Sequence, residues 1–385
     1  MQCLICESKN LYCFENYKSL NRITSDCKPW AAGGELYICE QCCTVQKNVS
    51  SKWLDEIDTI YNDYEAYIQS DGEEQMVFNA ATKKLCKRSE VLCDFILTHL
   101  PAGERQKLCD IGCSNGEFLS SFSDRCGEWK LYGVDLTNQY ESVLVKIKNF
   151  SQFATELSQI DDPLDVISLI HTLEHLTNPH EQLAQIKNSL AGEGALFIQV
   201  PDVLNNPFDL LVADHLFHFS MPTLCNLLSQ NGFSLSAASN SAVTKELSVL
   251  AGSQNTTTEA TPLDFEQQKS MIQRHLQFLE SIVREVSVLA AADKFSIFGS
   301  SICATWLYSY FKDDVAFFVD EDENRQGRRH MEKQIIGPDN VPGAMAIYMP
   351  LPLSVIESIM SRYPGKASNF IIPASLTTGK KHCSI

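Results

Sequence analysis

Asp110-Ile-Gly112-Cys-Ser-Asn115-Gly116 places an acid two residues before the first of two glycines. Glycines so spaced let a backbone turn sharply and come close to a ligand at the head of a helix. A dinucleotide fingerprint does the same for a pyrophosphate, with glycines in the pattern G-x-G-x-x-G. Here the glycines are four apart and the acid lies inside the turn. A carboxylate in that place repels phosphate and suits a cation. A second acid, Asp135, follows 25 residues later, where a carboxylate can accept hydrogen bonds from two ribose hydroxyls.

A nucleoside with positive charge and no phosphate fits both acids, and S-adenosylmethionine is such a molecule, with a sulfonium and an ammonium. The expected cofactor-contacting residues are Asp110, Gly112, Cys113, Asn115 and Gly116 in the loop, Asp135 and Leu136 after the next strand, and His171 further on. The bland alternative is an ordinary strand-to-helix turn with an incidental acid.

Acid–base chemistry has two candidate stretches. One is His171-Thr-Leu-Glu174-His175, after an apolar run; the other is Asp214-His215-Leu-Phe-His218. A carboxylate next to a histidine can tune its pKa and orientation as a base, which is the role considered for Asp214 and His215. His175 reads equally as a catalytic group or as a hydrogen-bonded structural residue, and His218 reads as packing.

The cysteines divide into two groups. Cys3-Leu-Ile-Cys6 and Cys39-Glu-Gln-Cys42 form a CxxC…CxxC pair with 32 residues between Cys6 and Cys39. Four thiolates suit a tetrahedral Zn²⁺, and four protein ligands leave no open position, so the metal is expected to be structural. Cys13, Cys27 and Cys43 are spare thiols that could stand in for a ligand, and reduced cysteines without metal are the alternative. The remaining members of the 15 cysteines are scattered in apolar segments. With Met1-Gln-Cys-Leu-Ile-Cys6 showing no secretion signal, they imply a reducing, cytoplasmic setting.

The elements that must hold these residues alternate as an α/β protein does. Strands are expected at 107–110, 131–135, 164–170, 195–200 and 247–251, with another opening at Gly232-Phe233. A helix follows the loop from Asn115 to Phe122. Gly252-Ser-Gln-Asn-Thr-Thr-Thr-Glu-Ala-Thr-Pro262 reads as a linker. After it, Phe265, Ile272, Leu276, Leu279, Val283 and Val286 share one helical face. A shorter pattern then repeats, with strands at 295–298 and 315–319 around a helix from about Ile302. The expected organisation is a zinc-binding domain at 1–80, a Rossmann-like class I methyltransferase domain at 81–254, and a second Rossmann-like α/β domain at 255–385. The net charge is −17, which disfavours general nucleic-acid binding. No apolar run is long enough for a transmembrane helix. The expected partner is a small molecule.

The order of these parts resembles the three-domain sugar C-methyltransferase family, which acts on nucleotide-activated keto-deoxysugars. The likeness rests on Cys3, Cys6, Cys39 and Cys42, on the D-x-G-x-x-x-G loop, and on Asp214-His-Leu-Phe-His-Phe-Ser220, which is similar to the family's E-H-L-S-Y-F-S. It extends to Phe317-Phe-Val-Asp320-Glu-Asp-Glu-Asn-Arg325 in the last segment. The resemblance implies a general base at His215 with Asp214 beside it, a second active-site histidine at His175, and a tyrosine at Tyr67, close to Tyr64 and Tyr61. It implies proton removal α to a carbonyl and attack of the enolate on the methyl group. The chain departs from the family at Val212 and Ala213 and shortens the Glu to Asp214, so O-methylation of a sugar or glycan hydroxyl is the alternative. From another class, a zinc-binding scaffold with an inactive methyltransferase domain also fits. Arg325, Arg328, Arg329 and His330 read as a solvated turn, with diphosphate contact as the alternative. The oligomeric state is open.

Overall fold

The central sheet is built from strands that are apolar on both faces. In the computed structural model, which describes residues 1–65, 72, 74, 76–79, 84–100, 106–253, 263–366 and 368–378, seven strands form this sheet. Their order is Phe150–Ala154, Lys130–Val134, Lys107–Ile111, Leu164–Ile170, Leu190–Pro201, Glu246–Gly252 and Ser234–Ser239. The first five run parallel, and Glu246–Gly252 runs antiparallel to both its neighbours. Side chains alternate across the strands, as the two-residue period requires. Leu108, Leu131, Val166 and Phe197 pack with Leu92, Leu119 and Phe122 of the helices Arg88–His99 and Glu117–Arg125. Cys109, Tyr132, Ile167 and Ile198 pack on the opposite face with Leu183, Ile186, Leu224 and Leu228 of Pro179–Ser189 and Met221–Gln230.

Strand order reverses between Lys107–Ile111 and Leu164–Ile170, which are direct neighbours. In an open parallel sheet the ligand crevice lies beyond the carboxyl ends at such a reversal. The reversal therefore sets the 110–116 loop beside the 171–175 turn.

The N-terminal sheet contains Leu11–Cys13, Leu36–Cys39 and Val45–Lys47, and its fourth strand, Phe217–His218, comes from the middle of the chain. Phe217 pairs with Gln46 and His218 with Val45. The segment before them is tied on both sides. Ala213 N donates to Ile23 O at 2.7 Å, Trp53 Nε1 to Ala213 O at 3.2 Å, and Leu216 N to Glu174 O at 2.8 Å. Nothing in the hydrophobic pattern of the sequence announces this sharing, because a two-residue strand has no period to read.

A third sheet of six strands contains Phe295–Phe298, Val315–Val319 and Lys333–Ile336 in parallel. The helix Phe265–Ala292 buries Ile272, Leu276, Leu279 and Val286, as its spacing implies, and Ile282 besides, with Phe265 and Val283 half-buried. The boundaries expected near 80 and 254 fall on segments outside the described residues. Among the described residues, no helix is long and apolar enough to cross a membrane.

Candidate functional site

The 110–116 loop requires its glycines. Gly112 has φ +79° and Gly116 has φ +82°, a left-handed region that a side chain strains to enter. A Cβ on Gly112 would collide with Thr172 Oγ1. The loop is fastened by Gly112 N to Val134 O at 2.7 Å and by Ser114 N to Asp135 Oδ2 at 2.8 Å. Asn115 Nδ2 reaches Gly72 O at 2.9 Å. Asp110 is buried, with Ser168 Oγ donating to it at 2.7 Å. Burial pushes its pKa up to about 7, and nearby Asp135 adds to the rise.

A cavity of about 690 Å³ opens over this loop. Asp110, Gly112, Cys113 and Asn115 line it, together with His171, His175, Asp209 and His215. Gly299, Asp320 and Arg325 of the third sheet face the same space. Among the described residues, Gly116, Asp135, Leu136 and Asp214 stand outside this wall. Gly116 caps the following helix, Asp135 braces the loop from behind, and Leu136 is exposed.

His171, with φ +50°, joins a charged network rather than standing free. Arg88 Nη1 is 2.9 Å from its Nε2, and Glu174 and Glu246 oxygens are each 3.3 Å from the ring. Burial alone would lower its pKa, but Glu246 above all raises it to about 9.

His175 and His215 meet edge to face, with ring centroids 4.7 Å apart at 89°. The carboxylate that holds His215 is Asp209, whose Oδ1 lies 2.7 Å from His215 Nδ1 and whose Oδ2 lies 2.7 Å from His218 Nδ1. Burial works against the charge of Asp209, yet the two histidines hold it well below the usual carboxylate range. Burial pushes His218 down to about 4 despite Asp209, so His218 is neutral at pH 7 and donates from Nδ1. Asp214 does something else: its carboxylate accepts from Ser25 N at 2.9 Å and Ser25 Oγ at 2.5 Å, which anchors the segment to the N-terminal unit.

The Asp214 backbone oxygen lies 3.0 Å from His175 Nδ1. Burial and the neighbouring His215 lower the pKa of His175. Tyr67 lies outside the described residues. The tyrosine that reaches this group is Tyr61, with its hydroxyl 3.1 Å from His175 Nδ1, while Tyr64 lines the cavity beside it.

Sequence reasoning missed Asp209, although a signal exists. An acid inside Pro207-Phe-Asp209-Leu-Leu211, a turn whose every residue is buried, must have a partner. Arg325 and His330 are buried, which corrects their expected place in a solvated turn. Arg325 lies 3.5 Å from Asp320 and 3.4 Å from Asp322, with Ser300 Oγ donating to Asp320 at 2.5 Å. Apolar strands around the segment fold it inward against Phe318 and Thr305.

At the N-terminus, Cys3 and Cys42 sulfurs are 3.5 Å apart and Cys6 and Cys39 sulfurs 3.4 Å apart. All four lie within 4.8 Å of one another. That spacing fits four sulfurs around one ion with bonds of about 2.3 Å.

Residues 86–238 match the family model described as a methyltransferase domain. A tRNA U34 carboxymethyltransferase of Glaesserella parasuis serovar 5 (strain SH0165) is 28% identical over 163 residues, 38% of this chain and 51% of that protein. The chain thus spans about half the length of the curated relative it matches. A 1,6-didemethyltoxoflavin-N1-methyltransferase of Burkholderia thailandensis is 16% identical, with a TM-score of 0.38, over 57% of this chain and 98% of that one. A SAM-dependent methyltransferase of Aquifex aeolicus is 19% identical, with a TM-score of 0.37, over 43% and 93%.

Proposed function

We propose that this chain is an S-adenosylmethionine-dependent methyltransferase that methylates a carbon atom of a nucleotide-activated keto-deoxysugar, with His215 as the base. The observation that supports this most is the 2.7 Å contact of Asp209 with His215 Nδ1, in a cavity shared with the cofactor loop. A carboxylate on Nδ1 keeps the proton there and leaves Nε2 with its lone pair, the state a base needs.

The residues present fit the cofactor. Asp110 is a buried acid whose close partner is a neutral hydroxyl, and a bound cation supplies the positive neighbour it lacks. Asp135, which holds Ser114 N from outside the cavity wall, steadies the loop whose 112–116 backbone receives the methionine end. S-adenosylmethionine, when bound, supplies a methyl group on a sulfonium, open to displacement. His215 removes the proton α to the sugar carbonyl. His175, edge to face with His215 and on the same cavity wall, positions the acceptor beside the base. Holding both partners in line in the cavity supplies much of the remaining acceleration.

The four N-terminal cysteines are proposed to hold a structural Zn²⁺. Arg325 and Arg362 stand on the cavity wall with Arg88 and Lys245 and could meet a diphosphate; Arg325 and Arg362 are each already paired with acids. The tRNA named for the curated relative is not carried over, because a net charge of −17 works against RNA binding.

The test is methyl transfer to a panel of nucleotide-activated keto-deoxysugars, with the product located by NMR. The expected product carries its new methyl on the carbon next to the carbonyl. A methyl on oxygen establishes the O-methylation alternative instead, and failure to bind S-adenosylmethionine establishes the scaffold.

A further inference from the structure

We propose that Glu174, His175 and His215 form a site for a divalent transition-metal ion of the zinc or cobalt kind, and that filling it blocks the base. Only the second half rests on the reading of His215 as the base. One donor atom from each residue lies within 4.8 Å of the other two. Donors around zinc, with bonds of about 2.0–2.2 Å, stand closer than that, so the three side chains must draw in slightly on binding.

Two observations point to a ligand here. The first is Glu174, which is 1% exposed, and neither of whose carboxylate oxygens has a hydrogen-bond partner among the described residues. The nearest cation is His171, with Nδ1 at 3.3 Å. His171 reaches only Oε1, and a buried carboxylate whose other oxygen, Oε2, has no partner among the described residues leaves room for a second positive group. The second is the way the imidazoles are held. His215 Nδ1 is 2.7 Å from Asp209, and His175 Nδ1 is 3.0 Å from the Asp214 backbone oxygen. Both acceptors fix the ring proton on Nδ1 and leave the lone pair on Nε2. Metal-ligating histidines are oriented in this manner, by a carboxylate or a backbone carbonyl behind them.

Two imidazoles and one carboxylate suit zinc, cobalt, nickel or iron better than magnesium or calcium. Three protein donors leave a position for water. The neighbouring group of Asp209, His215 and His218 is a poorer site, because both histidines already spend Nδ1 on Asp209. A metal on His215 Nε2 takes the lone pair that proton removal requires. Zinc should therefore act at the acceptor end and leave cofactor binding alone.

The experiment uses the full chain with its four-cysteine site filled. Co²⁺ is titrated in, followed by visible absorption and calorimetry. One equivalent is expected beyond the cysteine site. Glu174→Gln and His175→Gln should each weaken it at least 10-fold, and Asp209→Asn by about 10-fold, while retained S-adenosylmethionine binding shows that each variant is folded. Zn²⁺ should then stop methyl transfer, and a chelator of moderate strength should restore it. The site is overturned if no equivalent binds beyond the cysteines, or if the Glu174→Gln, His175→Gln double variant binds it unchanged. A metal that binds there and raises turnover leaves the site standing and overturns His215 as the base.

Discussion

The two ends of the cavity are assembled in opposite ways. At the end proposed for the cofactor, Asp110 and Gly112 on the wall and Gly116 and Asp135 behind it fall within the 26 residues from Asp110 to Asp135, in one strand–loop–helix–strand unit. At the acceptor end, Tyr61, His175, Asp209 and His215 come from three separate stretches. Their alignment depends on Phe217–His218 completing the N-terminal sheet. The cofactor end is therefore a property of local sequence, and the acceptor end a property of how the units are joined. Changes to the joining should silence one end and spare the other.

Removing the metal proposed for Cys3, Cys6, Cys39 and Cys42 should give the largest separation. The N-terminal unit loses its staple, and with it the anchor of Asp214 on Ser25 and the pairing of His218 with Val45. Turnover should fall by at least about 10³-fold, the usual size of a lost general base. Cofactor affinity, followed by calorimetry, should change less than about 3-fold, which is under 1 kcal/mol.

Asp209→Asn should come next. It releases both histidines and lets the tautomer of His215 change. Turnover should drop about 10²-fold, within the range for a group that orients a base. Cofactor affinity should be unaffected, and Asp209→Glu should recover part of the loss with a shifted pH profile. An equal loss in both quantities contradicts the separation.

Gly112→Ala probes the other end. The left-handed backbone and the contact with Thr172 should weaken S-adenosylmethionine binding by about 10-fold, which corresponds to 1–2 kcal/mol of backbone strain. The acceptor histidines should keep their pH profile.

The smallest effect is the pH dependence of binding. In the free protein Asp110 titrates near 7, raised by burial. A cation binds the carboxylate form, so below that pH binding must first expel a proton. Affinity for S-adenosylmethionine should rise several-fold between about pH 6 and 8 and then level off. S-adenosylhomocysteine, which lacks the sulfonium charge, should show less of this rise.

The same contrast explains what was legible in the sequence. The loop was readable because β-to-α turns write their needs locally: an acid at a strand end, glycines where φ is positive, and a second acid after the next strand. The central parallel strands were readable because burial on both faces leaves continuous apolar runs. At the acceptor end, His175 and His215 stand out as histidines near strand ends. Their partners do not, because Asp209 and Tyr61 find them only through tertiary packing. Asp214 was the expected partner of His215 because it is adjacent in the chain. Asp214 lies in a turn, and its carboxylate meets Ser25 and, at 3.5 Å, His175 Nδ1, while Asp209 takes His215.

The most direct measurement is solvent exchange without transfer. The enzyme is incubated in deuterated water with S-adenosylhomocysteine and a nucleotide-activated keto-deoxysugar, and the proton α to the carbonyl is followed by NMR. With His215 as the base, that proton should be replaced by deuterium at the wild-type enzyme and not at His215→Asn, whose affinity for S-adenosylhomocysteine should be unchanged. Exchange that proceeds equally well in His215→Asn, or no exchange at a wild-type enzyme that methylates the same sugar, would contradict the account.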